Sequence, residues 1–152
     1  MCLIMTIPSA NAEEPQNILD RFTGTWISTG NSFGADVKTE MMWSKTLGGQ
    51  FHRIDYTIQM QNSFKGIGHY KATNTQATSG YWVDNSGDFH PLSVKLGENA
   101  ISTVWGIAGK KQGRTEYRLE SQGRAIVTDW ILTTGGWKQF NQATFILTSS
   151  EE

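Results

Sequence analysis

The stretch 52–60, His-Arg-Ile-Asp-Tyr-Thr-Ile-Gln-Met, decides the fold class of this 152-residue chain. Its even positions group His52 with apolar and aromatic residues, whereas its odd positions are charged or polar. Because successive side chains of a β-strand point to opposite faces, this period of two predicts a strand with one face in a core. The same alternation recurs in four further stretches: 37–44, 101–107, 115–120 and 126–132.

One face of each stretch is predicted to lie inside the protein. In 126–132 the more apolar face carries Trp130, which predicts that Asp129 points to solvent. The predicted inward residues of the five stretches are Val37, Thr39, Met41 and Trp43; His52, Ile54, Tyr56, Ile58 and Met60; Ile101, Thr103, Trp105 and Ile107; Thr115, Tyr117 and Leu119; and Ile126, Thr128, Trp130 and Leu132.

Turn signals separate the strand-like stretches. Gly48-Gly49, 85–87, 97–99 and Gly135-Gly136 are typical of tight turns, and they leave room for about ten strands. Such a series predicts an all-β protein built as a closed, antiparallel, up-and-down barrel, because closure removes exposed sheet edges. A two-sheet sandwich is the alternative.

The chain is predicted to form one domain over 13–150, since no linker, repeat or charge block interrupts it. A short helix is predicted over 15–22, at one end of the barrel. Pro15 suits the first turn of a helix, and Ile18, Leu19 and Phe22 fall on one side.

Composition excludes several classes of partner. The formal net charge is -1, which is too low for a surface that binds nucleic acid or anionic lipid. Cys2 is the single cysteine, so an internal disulfide framework is excluded. No run of about 18 apolar residues is present, and no membrane-spanning helix is predicted.

The first twelve residues resemble the end of a secretory signal. They are uncharged, and they finish with Ala10-Asn11-Ala12, the small-x-small pattern that a signal peptidase accepts. A disordered tail is the alternative. Cleavage after Ala12 predicts a periplasmic or secreted protein, and without cleavage a cytoplasmic protein is expected.

Three motifs carry a resemblance to a known family. They are WSKTLGGQF at 43–51, FKGIGHY at 64–70 and SGYWVD at 79–84, and their order resembles that in the DUF1579 family of bacterial calycin-like domains. In addition, Gly24-Thr25-Trp26 resembles the G-x-W opening of calycin barrels. The resemblance implies a lipocalin-like barrel with a cavity, in which Trp26 closes the base, and it brings no established activity or catalytic residues.

The predicted inward aromatic residues suggest a ligand cavity. Together with apolar walls they supply a few polar groups, which is typical of small-molecule sites. The candidate cavity residues are Trp43, His52, Tyr56, Tyr70, Trp105, Tyr117 and Trp130. The predicted function is therefore to bind or carry a small hydrophobic molecule, without a cofactor or metal; a barrel filled solid by these side chains is the alternative.

Two enzyme-like or cofactor-binding alternatives remain open from the sequence. His52 faces the predicted lumen and could act as an acid or base beside a carboxylate or Tyr56. A haem-binding barrel needs an axial ligand, but no histidine follows His90. The match to G-x-S-x-G at 30–34 lies between two strand-like stretches, so a turn is favoured over a catalytic serine.

Overall fold

The computed structural model describes residues 17–32 and 35–149, and it confirms the predicted ten-strand antiparallel barrel. The elements are α1 (Ile18–Arg21), β1 (Gly24–Ser32), β2 (Ala35–Thr46), β3 (Phe51–Gln59), β4 (Phe64–Lys71), β5 (Ala77–Asp84), β6 (Phe89–Leu96), β7 (Ala100–Gly106), β8 (Gln112–Ser121), β9 (Arg124–Thr133) and β10 (Gly136–Ser149).

Every strand pairs with its neighbours in the sequence, and β1 pairs with β10 to close the barrel. The closing pair is antiparallel, with Ile27 opposite Ile146. A single closed sheet leaves no unpaired edge, which rules out the sandwich alternative. The predicted signal remnant at 1–12 lies outside the described residues.

The helix α1 covers one end of the barrel, which we call the plugged end. Asn17 is its N-cap, since the Asn17 side chain accepts a hydrogen bond from the backbone N–H of Asp20 at 3.2 Å. This cap places the start of the described helix at Ile18, and positions 15 and 16 of the predicted helix lie outside the described residues. Phe22 follows the helix and is fully buried. The plug is held to the barrel loops by the Arg21 guanidinium, which donates to the carbonyl of Glu98 at 2.7 Å.

The structure corrects the predicted faces of β9. A bulge between Leu119 and Ser121 shifts the pairing of β8 with β9, so that Leu119 lies opposite Ala125. Without the bulge, a simple hairpin register would place Leu119 opposite Ile126. Because residues directly opposite in a sheet share a face, the extra residue turns the other set of side chains inward. Asp129 therefore faces the lumen, and the prediction that Trp130 faces inward is wrong.

Candidate functional site

The half of the lumen nearest the helix is filled with aromatic side chains. Phe22 and Trp43 are fully buried, and their ring centroids lie 5.6 Å apart. Trp43 also lies 5.3 Å from Tyr70 and 5.2 Å from Tyr117. The Tyr70 hydroxyl reaches Thr103 Oγ1 at 3.4 Å, and burial raises the pKa of Tyr70 to about 12. This half is a packed core.

The opposite half contains an open cavity, which we call the mouth cavity. It encloses about 250 Å³ and opens to solvent beside the β5–β6 and β7–β8 connections. Its aromatic walls come from six strands, and polar groups lie at its inner end and rim. The lining residues are Tyr56, Phe64, Trp82, Asp84, Ser86, Asp88, His90, Trp105, Lys111, Thr115, Tyr117, Val127, Asp129 and Phe140.

Two indole rings of the cavity wall are fixed by glycines on neighbouring strands. The Trp82 indole lies over Gly66, and the Trp105 indole lies over Gly113, in each case so closely that a Cβ atom would overlap the ring. Trp82 Nε1 also donates to Asp84 Oδ2 at 3.1 Å. Gly66 and Gly68, at alternate positions of β4, therefore allow the Trp82 indole to lie flat against the sheet. This arrangement preforms the cavity wall.

Asp129 forms the polar inner end of the mouth cavity. Its Oδ1 accepts a hydrogen bond from Thr115 Oγ1 at 2.6 Å, and its Oδ2 accepts one from Asn141 Nδ2 at 2.9 Å. Burial raises the pKa of this carboxyl, against the effect of its two hydrogen bonds. The register of β10 against β9 shifts between Gln139 and Asn141, which marks a bulge. Phe140 lines the cavity there, while its neighbour Asn141 reaches Asp129.

Tyr56 places a second buried polar side chain at the cavity wall. Its ring packs against Trp82 and Phe145, with both centroid distances 6.3 Å. The Tyr56 hydroxyl is buried and has no hydrogen-bond partner in the described part of the protein. Burial raises the pKa of Tyr56, and the nearby Asp129 carboxylate adds to the rise, so the hydroxyl stays neutral. An unpaired buried hydroxyl at a cavity wall is a ready partner for a ligand.

The rim carries charged groups. Lys111 Nζ lies 3.0 Å from Asp88 Oδ2, and His90 Nε2 lies 3.5 Å from the same oxygen. The hydrogen bond from Lys111 is the main reason why the pKa of Asp88 is lowered. Asp84 accepts the backbone N–H of Ser86 at 2.9 Å, which holds its carboxylate at the entrance.

Of the seven predicted cavity residues, three line the mouth cavity, three belong to the packed half, and Trp130 lies on the outer surface. Tyr56, Trp105 and Tyr117 line the mouth cavity, and Tyr117 also separates it from the packed half. Trp43, His52 and Tyr70 belong to the packed half. Trp26 is buried under the helix, and its Nε1 donates to the carbonyl of Phe22 at 2.7 Å.

Trp130 is on the outer surface, in contrast to the prediction. The Arg114 guanidinium lies 4.9 Å from the ring centroids of both Trp130 and Trp137. This stacking on the outside of β8, β9 and β10 explains why an indole is stable there.

His52 links the helix to the barrel. Its Nε2 lies 3.0 Å from Asp20 Oδ1, and Lys45 Nζ lies 3.0 Å from the same oxygen. Burial by itself raises the pKa of Asp20, but the hydrogen bonds from His52 and Lys45 outweigh it and lower the pKa. His52 is at the plugged end and does not line the mouth cavity, so the geometry offers no acid or base role for it there.

His90 is the histidine that the structure brings to the cavity. Its ring centroid lies 5.0 Å from that of Trp105, and its Nε2 faces Asp88. An axial haem ligand needs free space in front of a ring nitrogen, whereas Nε2 faces a carboxylate and one face of the ring is covered by an indole. These residues do not fit a haem. Among the described residues, no three His, Cys, Asp or Glu side chains form a group that could hold a metal ion.

Several cavity residues could not be identified from the sequence. Asp129 was assigned to the wrong face because the bulge at Glu120 is not visible in a period-two pattern. Trp82 lies on β5, where apolar and polar residues do not alternate clearly. His90 lies on β6 at the same alternate positions as the buried Leu92 and Val94, and this alternation can be read from the sequence. The glycines at 66, 68 and 113 were the available signal, since strand glycines mark a close approach of another group.

A larger depression of about 690 Å³ lies near the plugged end, between the connections around Gln76 and Gly97. It is shallow, and its lining is mostly polar or charged, including Lys95, Glu98 and Arg118. A site for a small apolar molecule is usually enclosed and aromatic, so the mouth cavity is the better candidate.

Comparison with known proteins does not identify the chain. No protein-family model matches it, and no curated protein matches it. In the part of the chain that the structure describes, no helix has the length and apolar character required to cross a membrane.

Proposed function

We propose that the protein binds a small, largely apolar molecule in the mouth cavity. The observation that carries the proposal is the contrast between the two halves of the lumen. Aromatic side chains fill one half, while those of the other half stand around an open space of about 250 Å³. Since one water occupies about 30 Å³ in the liquid, an occupant of roughly ten non-hydrogen atoms matches this volume.

Binding would draw on the removal of apolar surface from water. The gain is about 25 cal/mol for each Å² of apolar surface buried. The walls need little rearrangement, because Trp82 and Trp105 are already held against Gly66 and Gly113. A preformed pocket lowers the ordering cost of binding.

Filling the cavity tests this proposal. Val127 lines the cavity, whereas its neighbour Ile126 is on the outer face of the same strand. We expect Val127→Phe to abolish the binding of benzyl alcohol, measured by isothermal titration calorimetry, and Ile126→Phe to leave it unchanged. Circular dichroism verifies that both variants fold. Equal affinity in both folded variants, or no binding by the unmodified protein, would contradict the proposal.

We further propose that the chain is a member of the DUF1579 family, as its motifs suggest. The residues of the motifs at 43–51, 64–70 and 79–84, and their order along the chain, support membership of this family. The lipocalin-like barrel is compatible with membership. Export is a separate proposal that rests on Ala10-Asn11-Ala12. N-terminal sequencing of the mature protein tests it: a chain that begins at Glu13 supports export, and one that begins at Met1 contradicts it.

A further inference from the structure

We infer that the ligand of the mouth cavity is a small organic cation, namely a protonated amine carried on an apolar body. This inference rests on the proposed function, and it concerns the charge of the ligand.

The charges that line the cavity favour a cation. Among the described lining residues there are three carboxylates, Asp84, Asp88 and Asp129, and one lysine, Lys111. Lys111 pairs with Asp88 at the rim. The carboxylates of Asp84 and Asp129 therefore leave a negative field in the cavity, which attracts a positively charged ligand and repels an anion.

Asp129 supplies a counter-charge at the inner end. It is about nine-tenths buried, and the groups that donate hydrogen bonds to it, Thr115 and Asn141, are both neutral. No lysine or arginine of the described residues forms an ion pair with it. A buried carboxylate is costly without an opposite charge, and a cationic ligand in the cavity would provide one.

The aromatic walls suit the same kind of ligand. Faces of indole and phenol rings attract cations, and Trp gives the strongest attraction. Trp82 and Trp105 lie on the cavity wall, and each uses its indole N–H within the protein, toward Asp84 and Thr115 respectively. Because one face of each ring lies over Gly66 or Gly113, the opposite face is the surface that can remain for a ligand.

The Tyr56 hydroxyl oxygen offers an acceptor to an N–H donor on the ligand. Tyr56 lines the cavity and is 6% exposed as a residue, and its hydroxyl oxygen is buried without a hydrogen-bond partner among the described residues. An ammonium group that reaches this buried oxygen, through a shift of the Tyr56 side chain, can donate one N–H to it. A neutral hydrocarbon would leave the Tyr56 hydroxyl without a hydrogen-bond partner and the Asp129 carboxylate without an opposite charge.

Three probes with the same ring separate the charge from the shape of the ligand: benzylammonium, benzyl alcohol and benzoate. They are titrated into the full-length protein at pH 7 by calorimetry. We expect benzylammonium to bind roughly tenfold more tightly than benzyl alcohol, and benzoate to bind most weakly. We expect Asp129→Asn to lower the ratio of the benzylammonium affinity to the benzyl alcohol affinity toward one. Asp55→Asn removes a carboxylate that pairs with Arg53 on the outer face, and it should leave the preference unchanged.

The outcomes distinguish the two proposals. If benzyl alcohol binds as tightly as benzylammonium, the cation inference fails and the proposed function stands. If benzoate binds best, the sign of the inferred charge is wrong. If no probe binds, the proposed function fails together with the inference. An equal loss of preference in both aspartate variants would show that net charge alone, and not Asp129, selects the cation, which would also overturn the inference.

Discussion

The fully buried Phe22 gives a direct test of the division of the lumen. Its ring lies 5.5 Å from Trp26 and 5.6 Å from Trp43, so it joins the helix to the packed half. Phe22→Ala removes a ring with no exposed surface. Such a deletion costs about 3–5 kcal/mol of unfolding free energy, through lost burial and the cavity left behind.

The matched control is Phe89→Ala. Phe89 is 66% exposed, and its ring is stacked on that of Tyr81 with centroids 6.0 Å apart. A surface change of this kind costs less than about 1 kcal/mol. The two variants therefore make the same chemical change in opposite environments.

Urea unfolding followed by circular dichroism measures both free energies. In thermal unfolding, the cost at Phe22 corresponds to a fall in Tm of roughly 6–20 °C, because 1 kcal/mol shifts the Tm of a chain of this size by about 2–4 °C. A cost at Phe22 below about 1 kcal/mol, or one equal to that at Phe89, would refute the conclusion that α1 plugs a packed core.

Three further predictions concern single positions. Burial raises the pKa of Asp129 in the folded protein, so the wild-type protein loses stability as the pH rises from 3.8 through that pKa. The tyrosines that face this carboxyl, Tyr56, Tyr70 and Tyr117, stay neutral over this pH range. Urea titrations should find that the stability of Asp129→Asn relative to wild type increases as the pH rises from 3.8 through the folded-state pKa, and a pH-independent difference would contradict this. Gly113→Ala should push the Trp105 indole into the cavity and weaken the binding of benzyl alcohol. Gly135→Ala, where an added Cβ would meet only Thr133 Oγ1 at 3.8 Å, should leave the binding unchanged, and similar calorimetric affinities of the two variants would show that the indole is not held over Gly113. Asp20→Asn should lower the free energy of unfolding by about 1 kcal/mol at pH 7, since the pKa of Asp20 is lowered in the folded protein. This loss should shrink as the pH falls below 3.8. A pH-independent loss would exclude the contacts of Asp20 with His52 and Lys45 as its cause.

The alternation of side chains was sufficient to predict the barrel. Strands such as β3 hide one face continuously from His52 to Ile58, and this pattern can be read directly from residue types. Short turns between successive strands then lead to the up-and-down order. The plug was also predictable, because Ile18, Leu19 and Phe22 are apolar at helical spacing.

The site could be predicted only in part, because a β-bulge adds a residue without a signal in the alternation. The bulge at Glu120 reverses the inner and outer faces of β9 relative to the simple hairpin register. As a result Asp129, and not Trp130, faces the lumen. Both faces of this strand contain large apolar residues, so composition could not correct the error. Alternation also says nothing about depth along the barrel axis. Trp43 and Trp105 both face the lumen, yet one is packed in the core and the other lines the cavity.

The six tryptophans allow a direct test of whether the mouth cavity binds a ligand, because they divide equally among three environments. Trp26 and Trp43 are in the packed half, Trp82 and Trp105 line the cavity, and Trp130 and Trp137 stack on Arg114 outside. The measurement is a titration of ¹⁵N-labelled protein with benzyl alcohol, followed through the six indole N–H resonances. Binding in the cavity predicts saturable shifts that are largest at Trp82 and Trp105, with Trp130 and Trp137 unmoved. Shifts confined to the outer pair, or the absence of any saturable shift, would contradict the account.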